Sequence, residues 1–166
     1  MNQFHILFYS FSNFIFSLPF TLLGMSSYNK NEIRADWQPP GFVFGIVWPI
    51  LYFIFGIINL KTYFSTWKLQ VKNTILNNSM FESIMQTLWL VVTANTGNDR
   101  TLFQHILGFF VIIFLVYYAY FVRLPYFRKV NTLLFYLYIP YCMWIFFASI
   151  LNFQLIKNSI LSISNK

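Results

Sequence analysis

The chain has 166 residues, of which 58% are hydrophobic and only 9% charged. Soluble domains average about 25% charged residues, and a soluble fold of this length could not cover so much apolar surface, whereas a helix bundle solvated by lipid can. The net charge of +7 comes from basic residues scattered between apolar runs, which argues against a nucleic-acid partner and for loops at a membrane surface; with Cys142 as the sole cysteine, an intrachain disulfide and a thiolate metal cluster are both excluded.

Five segments in chain order have roughly the 20 residues needed to cross ~30 Å of hydrocarbon. The expected spans are about 5–24, 41–60, 75–94, 102–122 and 130–156. The first is broken by Pro19 and the last contains Pro140. The first has no Lys or Arg before its apolar run and no A-x-A site, so it reads as a retained helix rather than a signal peptide. The third is the least apolar and the fourth the most. The longer loops are 25–40 and 61–74, and no repeat or second domain is visible, so the expectation is a single all-α domain over residues 1–166. Five spans put the termini on opposite sides. Lys61, Lys68, Lys72, Arg123, Arg128 and Lys129 fall on one side, and Lys30, Arg34, Arg100, Lys157 and Lys166 on the other. Six against five leans towards a cytosolic location for the second and fourth loops.

Three stripes at helical spacing stand out. On the third span Asn78, Glu82, Gln86, Trp89 and Thr93 recur at intervals of three or four. Glu82 is the one acid within the five spans, and polar groups in lipid face the bundle interior or a cavity. The stripe therefore either lines a ligand site or joins helices by hydrogen bonds. Trp48, Tyr52, Phe55 and Asn59 share a face of the second span, as do Tyr141, Trp144, Ala148 and Asn152 on the fifth. Aromatic stripes of this kind are usually packing. His105 has no second His or carboxylate at i+3 or i+4, so no metal site is expected.

Trp37-Gln38-Pro39-Pro40 opens into Phe44-Gly45-x-x-Trp48-x-x-Leu51-Tyr52, and Pro140-Tyr141-x-x-Trp144 is followed by Leu151-Asn152-Phe153. These two cassettes resemble the translocator protein family (TspO/MBR), small polytopic membrane proteins that bind porphyrins, sterols and aromatic ligands. The resemblance implies a bundle of five transmembrane helices with an interhelical pocket. It implies ligand contact for Trp48 and Trp144, and together with the stripes it makes Trp37, Trp48, Tyr52, Glu82, Gln86, Trp89, His105, Tyr141, Trp144 and Ala148 the candidate ligand-binding residues. It also implies a lid made by loop 25–40, with Tyr28, Lys30 and Arg34 able to reach the ligand. Gln86 stands where relatives carry Asn, and His105 where they carry an acid, replacing a fixed negative charge by a group that is neutral or cationic near neutral pH. Phe153 stands where the sterol motif has Tyr.

The resulting expectation is a receptor or carrier in the lipid bilayer for porphyrin, haem or a sterol, with no required cofactor and no nucleic acid. Gly41-x-x-x-Gly45 permits close helix approach, and the resemblance implies a homodimer. The alternatives are a light-dependent porphyrin-degrading enzyme and a regulatory membrane protein with a degenerate pocket. No nucleophile–base pair or phosphate loop is visible, which disfavours a conventional enzyme.

Overall fold

The computed structural model describes residues 34–93 and 101–164, together with Phe8, Ser10, Phe11, Ser12, Phe14 and Ile15, which are helical. The described residues form an all-α bundle. The second span is a helix over Gly41–Phe64, the third helix covers Leu69–Thr93, the fourth span covers Leu102–Val130 and the fifth Thr132–Ser164. The second, fourth and fifth are long and apolar enough to cross a membrane. The third is diluted by Asn77, Asn78, Glu82 and Gln86, and packs between the second and the fourth. Lipid, not water, faces the outside: Phe42, Ile46, Ile50, Phe53 and Ile57 form one exposed stripe along the second span.

The helices run further than apolar character alone predicts. The second span continues past residue 60 to Phe64, and the third helix begins at Leu69 rather than near residue 75, so the loop expected over 61–74 shrinks to 65–68. Ser65 closes this turn. Its hydroxyl donates to Thr62 O at 2.6 Å and accepts from Trp67 N at 3.4 Å, and Lys72 Nζ donates to Tyr63 O at 2.8 Å. Each bond satisfies a carbonyl or N–H that a helix end leaves open. The fourth span likewise continues beyond residue 122 to Val130, and the fifth reaches Ser164. Arg123, Arg128 and Lys129, expected in a loop, are therefore helical. Polar residues extend a membrane helix without penalty once they leave the hydrocarbon, because the backbone stays bonded to itself.

Two local devices set the fourth span. Thr101 starts it with a reciprocal capping box, Thr101 Oγ1 accepting from Gln104 N and Gln104 Oε1 from Thr101 N. Near its end, Ala119–Arg123 form a π-helical segment just before Pro125. Proline has no N–H for the carbonyl four residues back and collides with it, and a widened turn accommodates that fault. Asn131 then breaks the helix with an extended backbone (φ −161°, ψ 122°) and starts the next one by accepting Leu134 N at its side-chain oxygen, 3.2 Å.

The first span meets the bundle at Ser10, Ser12 and Phe14. Ser12 Oγ lies 3.2 Å from Ser83 Oγ, and the Phe14 ring is 5.5 Å from that of Tyr52. A Cβ on Gly56 would come within 3.1 Å of Ser10 O, so glycine is what allows the two backbones to approach.

Candidate functional site

The aromatic faces of three spans converge. Trp48 stacks on Tyr52 with centroids 5.7 Å apart, lies 5.9 Å from Trp89 of the third helix, and meets Trp144 of the fifth edge-on at 6.3 Å. Phe44 and Phe147 extend the cluster from Trp144 at 5.4 and 5.3 Å. Trp37, half exposed, closes on Phe147 at 5.8 Å. The loop residues just before the second span are docked here. Ala35 is buried against Leu151 and Leu155, and the Arg34 carbonyl accepts Asn158 Nδ2 at 2.7 Å. An apolar cleft of about 410 Å³ between the second and fifth spans reaches Trp144, lined also by Val47, Ile50, Leu51, Ile54, Pro140 and Met143.

The cluster holds polar atoms without partners. The indole N–H groups of Trp89 and Trp144, both amide atoms of Gln86 and the Tyr141 hydroxyl are buried and make no hydrogen bond among the described residues. The Tyr141 hydroxyl neighbours the Gln86 amide without reaching hydrogen-bonding geometry. Buried polar groups are normally satisfied, since leaving one unpaired costs about 1–3 kcal/mol. Here several of them lie together against a wall of indole rings.

Glu82 is engaged elsewhere. Two turns from Trp89, it forms a wholly buried ion pair with Arg123, Arg123 Nε donating to Glu82 Oε2 at 2.9 Å. Arg123 Nη2 donates to Ser79 Oγ at 3.0 Å, and Tyr138 Oη donates to Glu82 Oε1. The guanidinium stacks over Phe127 at 4.3 Å and lies 5.7 Å from the Tyr138 ring centre. Tyr138 and Tyr141 pack at 5.3 Å, which places this polar knot directly beneath the aromatic cluster.

The residues expected at the site thus separate. Trp48, Tyr52, Trp89 and Trp144 are in mutual contact, Gln86, Tyr141 and Ala148 are buried along the same faces, and Trp37 lies at the outer edge. His105 is buried on the fourth span, one turn before Gly108. A Cβ at Gly108 would lie 2.7 Å from Thr93 Cγ2 and 3.9 Å from Trp89 Nε1. Of the expected lid, Arg34 is half-buried, and Tyr28 and Lys30 lie outside the described residues. Sequence reasoning missed Arg123, Ser79 and Tyr138. Glu82 was the available signal, because a lone acid inside a bundle requires a cation.

An all-α bundle with three described helices long and apolar enough to cross a membrane and a tryptophan-rich interior defines a class, the small polytopic membrane proteins. The chain belongs to the TspO/MBR family, whose profile matches residues 7–157. It is similar to the tryptophan-rich protein TspO of Chlorobaculum tepidum, 29% identical over 140 residues that make up 83% of each chain. No solved structure matches it.

Proposed function

We propose that this chain is a single-domain receptor or carrier that binds a tetrapyrrole, porphyrin or haem, between the second, third and fifth spans. Family membership supports a membrane translocator of tetrapyrroles or sterols. The observation that carries the choice of ligand is the set of unpaired polar atoms on the indole wall. Two indole N–H groups, one amide NH₂ and one phenol can donate, while the acceptors are the amide oxygen and the phenol. An excess of donors favours a flat ligand rimmed by carboxylates over a sterol with a single hydroxyl. Glu82, the one acid in the described helices, is paired with Arg123 and so does not oppose such an anion. Flat aromatic faces would stack on Trp48, Trp89 and Trp144.

The test is Gln86→Met. This near-isosteric change removes two unsatisfied buried atoms, so the empty protein should be as stable as the wild type or more so. Its affinity for protoporphyrin, followed by tryptophan quenching in detergent, should fall about tenfold or more, because hydrogen bonds to a charged group contribute ~1.5–3 kcal/mol. Undiminished affinity, or no tetrapyrrole binding by the wild type, rules the reading out. Bleaching of the bound porphyrin under illumination, with a new product, would turn the receptor into the light-dependent enzyme.

A further inference from the structure

Charge is distributed unevenly between the two ends of the bundle. Lys61 lies in the last turn of the second span, Lys68 and Lys72 flank the start of the third helix, and Arg128 and Lys129 end the fourth span. None of the four acids in the sequence, Glu32, Asp36, Glu82 and Asp99, falls within 61–74 or 124–131. Arg123, which the sequence alone adds to this end, is withdrawn into the core and cancelled by Glu82. Five of the seven net positive charges therefore belong to one end, and the remaining two to the rest of the chain.

Lys72 is held by the Tyr63 carbonyl, while Lys61, Lys68, Arg128 and Lys129 are exposed. Large apolar side chains share this level. Phe64 is 75% and Leu69 70% exposed, and Tyr63, Trp67 and Tyr126 are half-buried. Aromatic rings with one polar atom settle at the headgroup boundary, and long cationic side chains extend from the hydrocarbon edge to the phosphates. The cations come from three successive helices, so they form an arc at the rim of the bundle rather than one compact patch. A leaflet surrounding the bundle touches all of that arc, whereas a folded acidic protein would have to avoid the exposed Phe64 and Leu69.

We propose that this end is a binding site for acidic phospholipids, with Lys61, Lys68, Arg128 and Lys129 meeting headgroup phosphates and Phe64 and Leu69 lying among the acyl chains. Each cation near an anionic surface contributes at most about a fivefold preference, and the effect is screened by salt.

The experiment uses the full chain reconstituted in bilayers of brominated phosphatidylcholine, with unlabelled phosphatidylglycerol competing and tryptophan fluorescence reporting exchange. The wild type should prefer phosphatidylglycerol severalfold at low salt and approach parity at high salt. Replacing Arg128 and Lys129 by Gln should move the preference about halfway to parity, and the fourfold change K61Q/K68Q/R128Q/K129Q should abolish it. Lys157→Gln, on the fifth span, should change nothing. The charge-keeping set K61R/K68R/R128K/K129R should retain the preference and guards against a folding defect in the fourfold variant. Equal binding of the two lipids by the wild type, a preference that survives the fourfold change, or its loss in the charge-keeping set overturns the proposal. So does full competition by inorganic phosphate, which would make the free ion the ligand.

Discussion

The Glu82–Arg123 pair gives the sharpest quantitative expectation, because the two ways of describing it differ severalfold in free energy. Polar contacts between membrane helices average about 0.6 kcal/mol in double-mutant cycles, since the unfolded chain in a membrane also finds partners. A buried ion pair behaves differently. Removing one member leaves an uncompensated charge in a medium that cannot solvate it, at a cost of about 3–5 kcal/mol. Both side chains are 0% exposed and their atoms stand 2.9 Å apart, so the second description applies. Glu82→Gln and Arg123→Gln should each destabilise the bundle by about 3–5 kcal/mol. The combined variant E82Q/R123Q should recover most of that loss, because two amides can bond to each other and the new amide oxygen can still accept from Tyr138.

The assay is reversible unfolding in mixed micelles by titration with a denaturing detergent, followed by far-ultraviolet circular dichroism for the four species of the cycle. A coupling of about 4 kcal/mol or more between the sites is expected, since two single losses of about 3–5 kcal/mol would reduce to a small one in the combined variant. It should change little with ionic strength, because a dry pair is poorly screened. Single variants that each cost less than about 1 kcal/mol and add without coupling would refute the reasoning. Arg123 would then be solvated in the bilayer, and its burial would have no energetic consequence.

Gly108→Ala should destabilise the bundle by about 1–3 kcal/mol through overpacking, because its Cβ falls 2.7 Å from Thr93 Cγ2. Adding Thr93→Ser, which deletes that methyl while keeping the hydroxyl bonded to Trp89 O, should restore stability in the same unfolding titration. Thr101→Ala removes the half of the capping box made by its hydroxyl, leaving the backbone N–H at that position still able to donate to Gln104 Oε1, and should lower stability by about 1 kcal/mol, whereas Thr101→Ser should not. Cys142 is 2% exposed, so it should resist a water-soluble maleimide in mild detergent and react only after unfolding. Labelling at the rate of a free thiol would contradict its position in the core.

Much of the bundle interior was legible because the signals were local. A helix places residues three and four apart on one face whatever its surroundings, so the stripes through Trp48, Glu82 and Tyr141 could be read directly, and each of these residues is buried. The proline–tryptophan cassettes fixed the family. Helix ends were less legible. The apolar content of a segment locates the hydrocarbon core, but a helix stops where its backbone finds another partner. Here that is Ser65 at one turn and Asn131 at the other. Arg123 was misplaced for this reason. Ending the fourth span near residue 122 puts its guanidinium in water, whereas the continuous helix with its π segment carries it inward to Glu82.

That misplacement changes the meaning of the third-helix stripe. From sequence, Glu82, Gln86 and Trp89 are equivalent, three interior polar groups to which the same functional expectation applies. Their partners separate them. Glu82 receives bonds from two side chains and is neutralised, so it already has what a buried carboxylate requires. Gln86 and Trp89, one and two turns further on, have nothing comparable. A bundle selected for stability alone would replace those unsatisfied groups with apolar ones, because an apolar isostere removes a cost without adding one. Their retention beside three indole rings is best accounted for by a molecule that completes them. By the same physics the satisfied half of the stripe joins the helices, and under the proposed function the unsatisfied half is the part that would meet the ligand.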